Sequence, residues 1–310
     1  MTGEAQSSDA VLLVRPAAFG FHAEAAESNL FAGASNDPEV AARAMREFEG
    51  LRQRLGDAGV EVLILDDSPE PAKPDAIFPN NWVSFHSDGT AVLYPMATAA
   101  RRLERNPEGL AELLASSGFE IRRLIDFSSH EQDGRFLEGT GSLVLDRPRR
   151  RAYASLSPRT DPSIIGQFDE RLGYSTLVFD ARDRSGRAIY HTNVLLSLGT
   201  RFAALCVEAV APEYRDSLVA DIEASGRTLV EVDYDQLRSF ACNLIELRSA
   251  SGEPLIALSS AALRSLRAEQ VRALEKAGGA LVDAPIPTIE AVGGGSVRCM
   301  IADVHLPRLG

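Results

Sequence analysis

Apolar and polar positions along this chain repeat a strand–strand–helix–strand pattern four times in order, and once more across its two ends. The first block has strand-like runs over 77–86 and 91–96, helical spacing over 99–117 and a last strand over 120–126. The second runs 136–146, 151–157, a helical stretch from Asp161, then 175–181. The third runs 190–199, 202–210, a helix through Glu223, then 228–233, and the fourth 240–249, 254–259, 261–277 and 280–285. The fifth forms only if the termini are joined: 292–305 and 11–16 as strands, 38–55 as the helix and 61–66 as the last strand. Helix starts fall where the pattern needs them. Ser259 and Ser260 can cap the helix near Ala261, and Asp161-Pro162 joins a cap to a first-turn proline.

Block starts at 77, 136, 190, 240 and 293 are 59, 54, 50 and 53 residues apart. Five similar ββαβ units with one split between the ends predict a closed ring, because closure removes two sheet edges. The competing reading is five unrelated α/β hairpins in an open sheet. The ring predicts an α/β fold, a five-bladed propeller making one domain over residues 1–310. Each block carries a polar residue near the start of its first strand: Asn81, Glu138, His191, Asn243 and Cys299. In a propeller those strands lie nearest the axis, so residues more than 200 positions apart would meet there.

Composition narrows the class without naming the chemistry. The chain has 310 residues, 45% hydrophobic and 25% charged, which is ordinary for a globular protein. A net charge of −12 argues against nucleic acid or an anionic membrane as the main partner. No apolar run reaches the ~18 residues of a membrane span. Met1 to Ala10 lacks the basic and apolar regions of a signal peptide. Three cysteines, Cys206, Cys242 and Cys299, suit a reducing compartment, and the cytoplasm is the expected address. Cys206 reads as core packing. The oligomeric state stays open, a homodimer included.

Among these residues Cys299 carries most information. It follows Gly293-Gly294-Gly295-Ser296-Val297-Arg298, and a glycine triplet lets a ligand approach the backbone closely. A free cysteine is more often a small buried hydrophobe. His191 and Glu138 at matching positions of the repeat change that balance. The thiolate is the attacking species, His191 is the natural acid–base group near neutral pH, and Glu138 can orient the imidazole or hold substrate N–H groups. Each has a structural alternative: a hydrogen-bonded structural histidine, and a loop residue among turn-forming glycines. Asn243 is read as satisfying backbone groups. His22, His86, His130 and His305 lack metal-ligand spacing, and the glycine triplet lacks the Lys-Ser/Thr of a phosphate loop, so neither a metal nor a cofactor is expected.

The segments Pro74-Asp75-Ala76-Ile77-Phe78-Pro79-Asn80-Asn81, Leu137-Glu138-Gly139, His191 and the glycine-rich approach to Cys299 resemble the guanidine-group modifying superfamily. That superfamily, the penteins, comprises arginine deiminases, dimethylarginine dimethylaminohydrolases, agmatine deiminases and amidinotransferases. The resemblance spans nearly the whole chain and implies a five-bladed α/β propeller and a covalent cysteine mechanism without cofactor. It also implies substrate contacts by Asp75 and Phe78, and α-carboxylate binding by Arg159, in Ser157-Pro158-Arg159-Thr160, and by Arg101. One position departs from enzymes that take arginine-type substrates. Those place a carboxylate where this chain has Asn81. A carboxylate holds a guanidinium by charge-assisted bonds, whereas an asparagine offers one acceptor, two donors and no charge. A neutral ureido group, with both C=O and N–H, suits it better. Pro79-Asn80-Asn81-Trp82 also resembles the citrulline-utilisation hydrolase branch.

These readings converge on a hydrolase cleaving L-citrulline to ornithine, ammonia and carbon dioxide. Cys299, His191 and Glu138 are the expected catalytic set. Asn81, Asp75, Phe78, Arg101 and Arg159 are the expected substrate contacts. The rivals are a deiminase or dimethylaminohydrolase acting on a guanidinium, an amidinotransferase needing an acceptor amine, and a propeller that only binds an amino acid. Residues 128–135 and 17–37 are expected as loops over one face of the ring and are candidate lids.

Overall fold

The computed structural model describes residues 4–35 and 37–309. Asn36, inside one of the two expected loops, and Met1 to Gly3, inside the segment read for a signal peptide, lie outside the described residues. The strands are β1 (Ala10–Arg15), β2 (Glu61–Asp66), β3 (Val83–Phe85), β4 (Thr90–Leu93), β5 (Arg123–Asp126), β6 (Val144–Asp146), β7 (Arg151–Ser155) and β8 (Ser175–Phe179). They continue with β9 (Leu196–Leu198), β10 (Phe202–Leu205), β11 (Thr228–Glu231), β12 (Ile245–Arg248), β13 (Pro254–Ser259), β14 (Ala280–Ala284) and β15 (Ala302–Val304).

They form five three-stranded mixed sheets of one topology. In each, a short first strand pairs antiparallel with a middle strand, which pairs parallel with the third across a helical connection. A parallel pair needs such a crossover, and here it is the unit's helix. The sheet made from both ends obeys the same rule. β15 pairs antiparallel with β1, Ala10 opposite Val304, and β1 pairs parallel with β2, Ala10 opposite Glu61.

Middle strands are apolar along nearly their whole length, as in Ala-Val-Leu-Leu-Val of β1 and Phe-Ala-Ala-Leu of β10, and are buried. A strand covered on both faces has no solvent side to make polar. Third strands are partly exposed, and β5 buries only Ile125. The main helices, such as Val40–Asp57 with Ala44, Phe48, Leu51 and Leu55 inward, close the outer side of this core. Among the described residues no helix is long and apolar enough to cross a membrane.

Two expected helices are each broken in two. The one read over 99–117 stops at Arg102 and restarts at Pro107, where Asn106 accepts from the Gly109 N–H at 3.0 Å and proline takes the first position. The one read over 261–277 divides into Ser260–Ser265 and Ala268–Gly278, because the Gln270 side chain accepts from the Arg267 N–H at 2.7 Å and starts a new helix. Ser259 caps the first piece, and Asp161 caps Pro162–Leu172 ahead of its proline.

The consequential difference concerns the first strands. Runs read as ten or more residues of strand yield only three or four, each preceded by a tight turn. Bonds from Asn81 N to Phe78 O (3.4 Å), Val194 N to His191 O (3.3 Å), Asn243 N to Phe240 O (2.8 Å) and Cys299 N to Ser296 O (2.9 Å) close four of them. The fifth is the helical turn Gly139–Ser142 that follows Glu138. The five polar residues therefore sit in turns ahead of the strands. A turn frees a side chain from the alternating two faces of a strand and lets it project beyond the sheet.

Candidate active site

Cys299, His191, Asn81, Asp75, Phe78, Arg101 and Arg159 line one small cavity, together with Asn29, Tyr190 and the three glycines 293–295. Glu138 lies directly behind, its Oε2 2.8 Å from His191 Nε2. All eight expected site residues are thus brought together. The glycines are needed for space. A Cβ on Gly295 would stand 2.8 Å from the Phe78 ring, and Gly294 has φ of +64° with Ala32 N 2.4 Å from any Cβ.

Glu138 is fully buried and held on all sides. Its Oε1 accepts from Ala97 N at 2.9 Å, and its Oε2 faces Arg159 Nη1 at 3.3 Å and Arg101 Nη1 at 3.5 Å besides His191. Burial pushes its pKa up, but Arg159, the His191 hydrogen bond and Arg101 together outweigh burial and hold the carboxyl well below its usual range. Burial lowers His191 to about 4, although Glu138 pulls the other way. The resting pair is therefore a carboxylate and a neutral imidazole. With Nε2 engaged, Nδ1 is the nitrogen left for proton transfer.

Asn81 is oriented by Arg101, whose Nη1 donates to Oδ1 at 2.9 Å. A guanidinium has no acceptor, so the amide oxygen must face it and Nδ2 must face away. That Nδ2 is buried and has no hydrogen-bond partner among the described residues. A Cβ on Gly141 would meet Asn81 Nδ2 at 2.4 Å and His191 Nδ1 at 2.8 Å, so the bare backbone there is the surface on which both rest.

The two arginines differ. Arg101 spends its five N–H groups on Glu104 (2.9 and 3.1 Å), Asn81, Glu138 and Phe78 O. None is left for the α-carboxylate it was expected to bind. Arg159 donates to Glu138, to Ser28 Oγ at 2.9 Å and to Ala25 O at 2.7 Å, and lies over the Tyr190 ring. Two of its N–H groups have no partner among the described residues. Asp75 bonds His22 Nδ1 at 2.7 Å and stands 3.8 Å from Arg101.

Around the sulfur the structure adds Asn243, which the sequence placed on an inner strand but outside the catalytic set, and Asn193, which sequence reasoning passed over. Asn243 Nδ2 reaches Cys299 Sγ at 3.2 Å while also donating to Asn193 O, and its Oδ1 accepts from Arg298 N. It satisfies backbone groups as expected and touches the thiol as well. Asn193 Nδ2 lies 3.6 Å from Sγ. Its signal was available: it follows His191 by two residues in the same turn. Segment 17–37 supplies Ala25, Ser28 and Asn29 to this region, whereas 128–135 forms a turn pinned by Arg105–Glu131 and lines no part of the cavity.

Burial raises the Cys299 thiol above its ordinary value, and the Ser296 contact and the Asn243 bond offset this only in part. In the free protein the sulfur is a thiol, so a bound substrate must help to ionise it. Alkylation of Cys299 by iodoacetamide, followed by peptide mass, is accordingly expected to accelerate only above the usual thiol pKa of ~8.5. A rate already maximal at pH 7 would contradict this.

Comparison with known proteins places the chain. Residues 15–306 match the family described as N,N dimethylarginine dimethylhydrolase, eukaryotic. No curated protein matches the sequence. Among solved structures, ArgZ, an arginine dihydrolase from the ornithine–ammonia cycle in cyanobacteria, superposes with a TM-score of 0.74 at 18% identity, over 97% of this chain and 41% of its own. The chain thus spans about two fifths of that relative. AgrE, in a variant bound to L-arginine, gives 0.70 at 15% identity, over 97% of this chain and 40% of its own. A dimethylarginine dimethylaminohydrolase variant carrying an S-methyl-L-thiocitrulline adduct gives 0.61 at 16% identity, over 94% and 98%. Identities this low speak for the fold, and the family match covers nearly the whole sequence. The chain belongs to the N,N-dimethylarginine dimethylhydrolase family of the guanidine-modifying superfamily.

Proposed function

We propose that this protein hydrolyses the ureido C–N bonds of L-citrulline, giving ornithine, ammonia and carbon dioxide. The observation that carries the reading is Asn81. Its amide is locked by Arg101 so that an unpaired donor, Nδ2, is left at the cavity that also holds Cys299. A buried donor without a partner is costly, and an oxygen acceptor on the substrate relieves that cost. A ureido group carries such an oxygen; a guanidinium offers only donors. The nearby carboxylates are already engaged, Glu138 by two arginines and Asp75 by His22 and Arg101.

In this reading the Cys299 thiol passes its proton to His191 Nδ1 as Sγ attacks the ureido carbon, and the terminal nitrogen leaves as ammonia with that proton. Water then adds to the carbon, the Sγ–C bond breaks, and the N-carboxylated ornithine so released loses carbon dioxide to give ornithine. Glu138 fixes His191 and favours its transient charge. Asn81 binds the ureido oxygen, Phe78 packs against the substrate chain, Asp75 lies toward the amino-acid end, and Arg159 takes the α-carboxylate with its two unused N–H groups. Arg101 acts through Asn81 and Glu138. A propeller of five blades within one domain, residues 1–310, underlies this reading. The β1–β15 pairing and the contacts of β3 with β15, and of β9 with β6 and β12, support that closure.

A second reading starts from L-arginine and passes through a ureido stage at the same sulfur. The fold likeness to ArgZ, a cyanobacterial arginine dihydrolase, and to AgrE in a variant bound to L-arginine favours it. Purified protein given citrulline, arginine or Nω-methylated arginines in turn separates the two when ornithine and ammonia are assayed. Ornithine from citrulline is expected to exceed that from arginine at least ~10-fold in kcat/KM, about 1.4 kcal/mol of discrimination. Arginine turnover with citrulline inert would remove the substrate choice.

A further inference from the structure

A second, narrow cavity begins one side chain away from Cys299 and runs between the inner strands β6, β9 and β12. Asn193 lines it and also bonds Cys299 Sγ; Thr140, two residues after Glu138, lines it as well. Gln6 closes its other end, donating to Leu145 O at 2.9 Å and Leu198 O at 3.3 Å and accepting from Arg147 N at 3.0 Å. Beside Gln6, buried Arg147 pairs with Glu4 (2.7 Å) and Asp303 (2.9 Å). The volume is about 40 Å³, room for two to four waters at ~10–15 Å³ each. Ser197 lines this space, is buried, and its hydroxyl has no hydrogen-bond partner among the described residues. Buried hydroxyls are almost always satisfied by protein or by ordered water.

We propose that this cavity is a water site that supplies the nucleophile for breakdown of the Cys299 adduct. The inference rests on the reading of Cys299 as the attacking group. An adduct that has lost ammonia still carries the amino-acid tail, which fills the cavity around Arg159 and Asp75. Water arriving on that side is blocked. Water held between the inner strands reaches the sulfur past Asn193 without displacing the tail. In the step it serves, water oxygen bonds to the adduct carbon, its proton passes to His191, and the Sγ–C bond breaks to return the thiolate.

The test fills the cavity and reads the two chemical steps separately. Ser197→Leu and, independently, Val144→Phe place extra volume in the space, while Ser197→Ala keeps it open. Each protein is mixed with citrulline, quenched over time and weighed intact, with thermal melting as the folding control. Adduct formation is expected within twofold of the unmodified protein, and adduct breakdown at least tenfold slower in both filled variants, so that adduct dominates at steady state. Ser197→Ala should behave normally. Folded filled variants that clear the adduct at the normal rate overturn the proposal; if Ser197→Leu fails to fold, Val144→Phe decides. Absence of any adduct in every protein, with Cys299→Ser still active, would instead sink the nucleophile reading beneath it.

Discussion

Cys299→Ser is expected to abolish turnover, lowering ornithine release by at least ~10³-fold, the scale seen when a covalent nucleophile is removed. The physical reason is ionisation. Even the thiol is held above its ordinary pKa by burial, and a serine hydroxyl in the same surroundings is far harder to deprotonate. The change should leave the fold nearly untouched, because Asn243 Nδ2, now 3.2 Å from sulfur, can donate to the hydroxyl instead. Calorimetric binding of citrulline should survive while ornithine and ammonia release disappear. Activity within tenfold of the unmodified protein would remove Cys299 from the mechanism. The two other cysteines are buried in the core and cannot substitute for it.

Glu138→Gln should be damaging in two ways at once. It leaves Arg101 and Arg159 facing a neutral amide where they now share one carboxylate, and breaking a buried ionic cluster by removing one partner typically costs ~3–5 kcal/mol. It also takes the charge from behind His191, so the imidazolium formed during catalysis loses its partner. A fall in kcat of ~10²–10⁴-fold follows for a disabled acid–base group. The pH dependence has a definite sign. Glu138 titrates lower in the folded protein, so its contribution is complete above the unfolded value of ~4.3 and is lost as pH drops through the folded one. His191 titrates near 4 against ~6.5 when unfolded, so folding favours the neutral ring, and stability falls as pH drops from 6.5 towards 4. Urea midpoints of the unmodified protein should therefore fall below pH 6.5 and steepen below ~4.3. The Gln variant should start lower at neutral pH and lack the steep acid part. Equal midpoints and activity within a few-fold would contradict the role given to Glu138.

Repetition was the property legible in the chain itself. Periodic apolar runs are a local consequence of burial on one or both faces, so five ββαβ units, including the one split between Val11 and His305, could be read without coordinates. Equivalent polar positions followed from the same spacing, and so did the grouping of Cys299, His191 and Glu138. Three things needed the tertiary structure. Apolar runs do not distinguish a strand from a tight turn feeding it, so Asn81, Glu138, His191, Asn243 and Cys299 were read at strand starts although each belongs to a turn. Side-chain partners, three from its own unit and Glu138 from the next, were invisible: Arg101 looked like a carboxylate binder until Glu104, Asn81, Glu138 and Phe78 were seen to take every N–H it has. Ionisation was also undecided, because the side chain sets only an intrinsic pKa. Burial and the charges that distant segments bring alongside decide whether Glu138 is charged, His191 neutral and Cys299 a thiol.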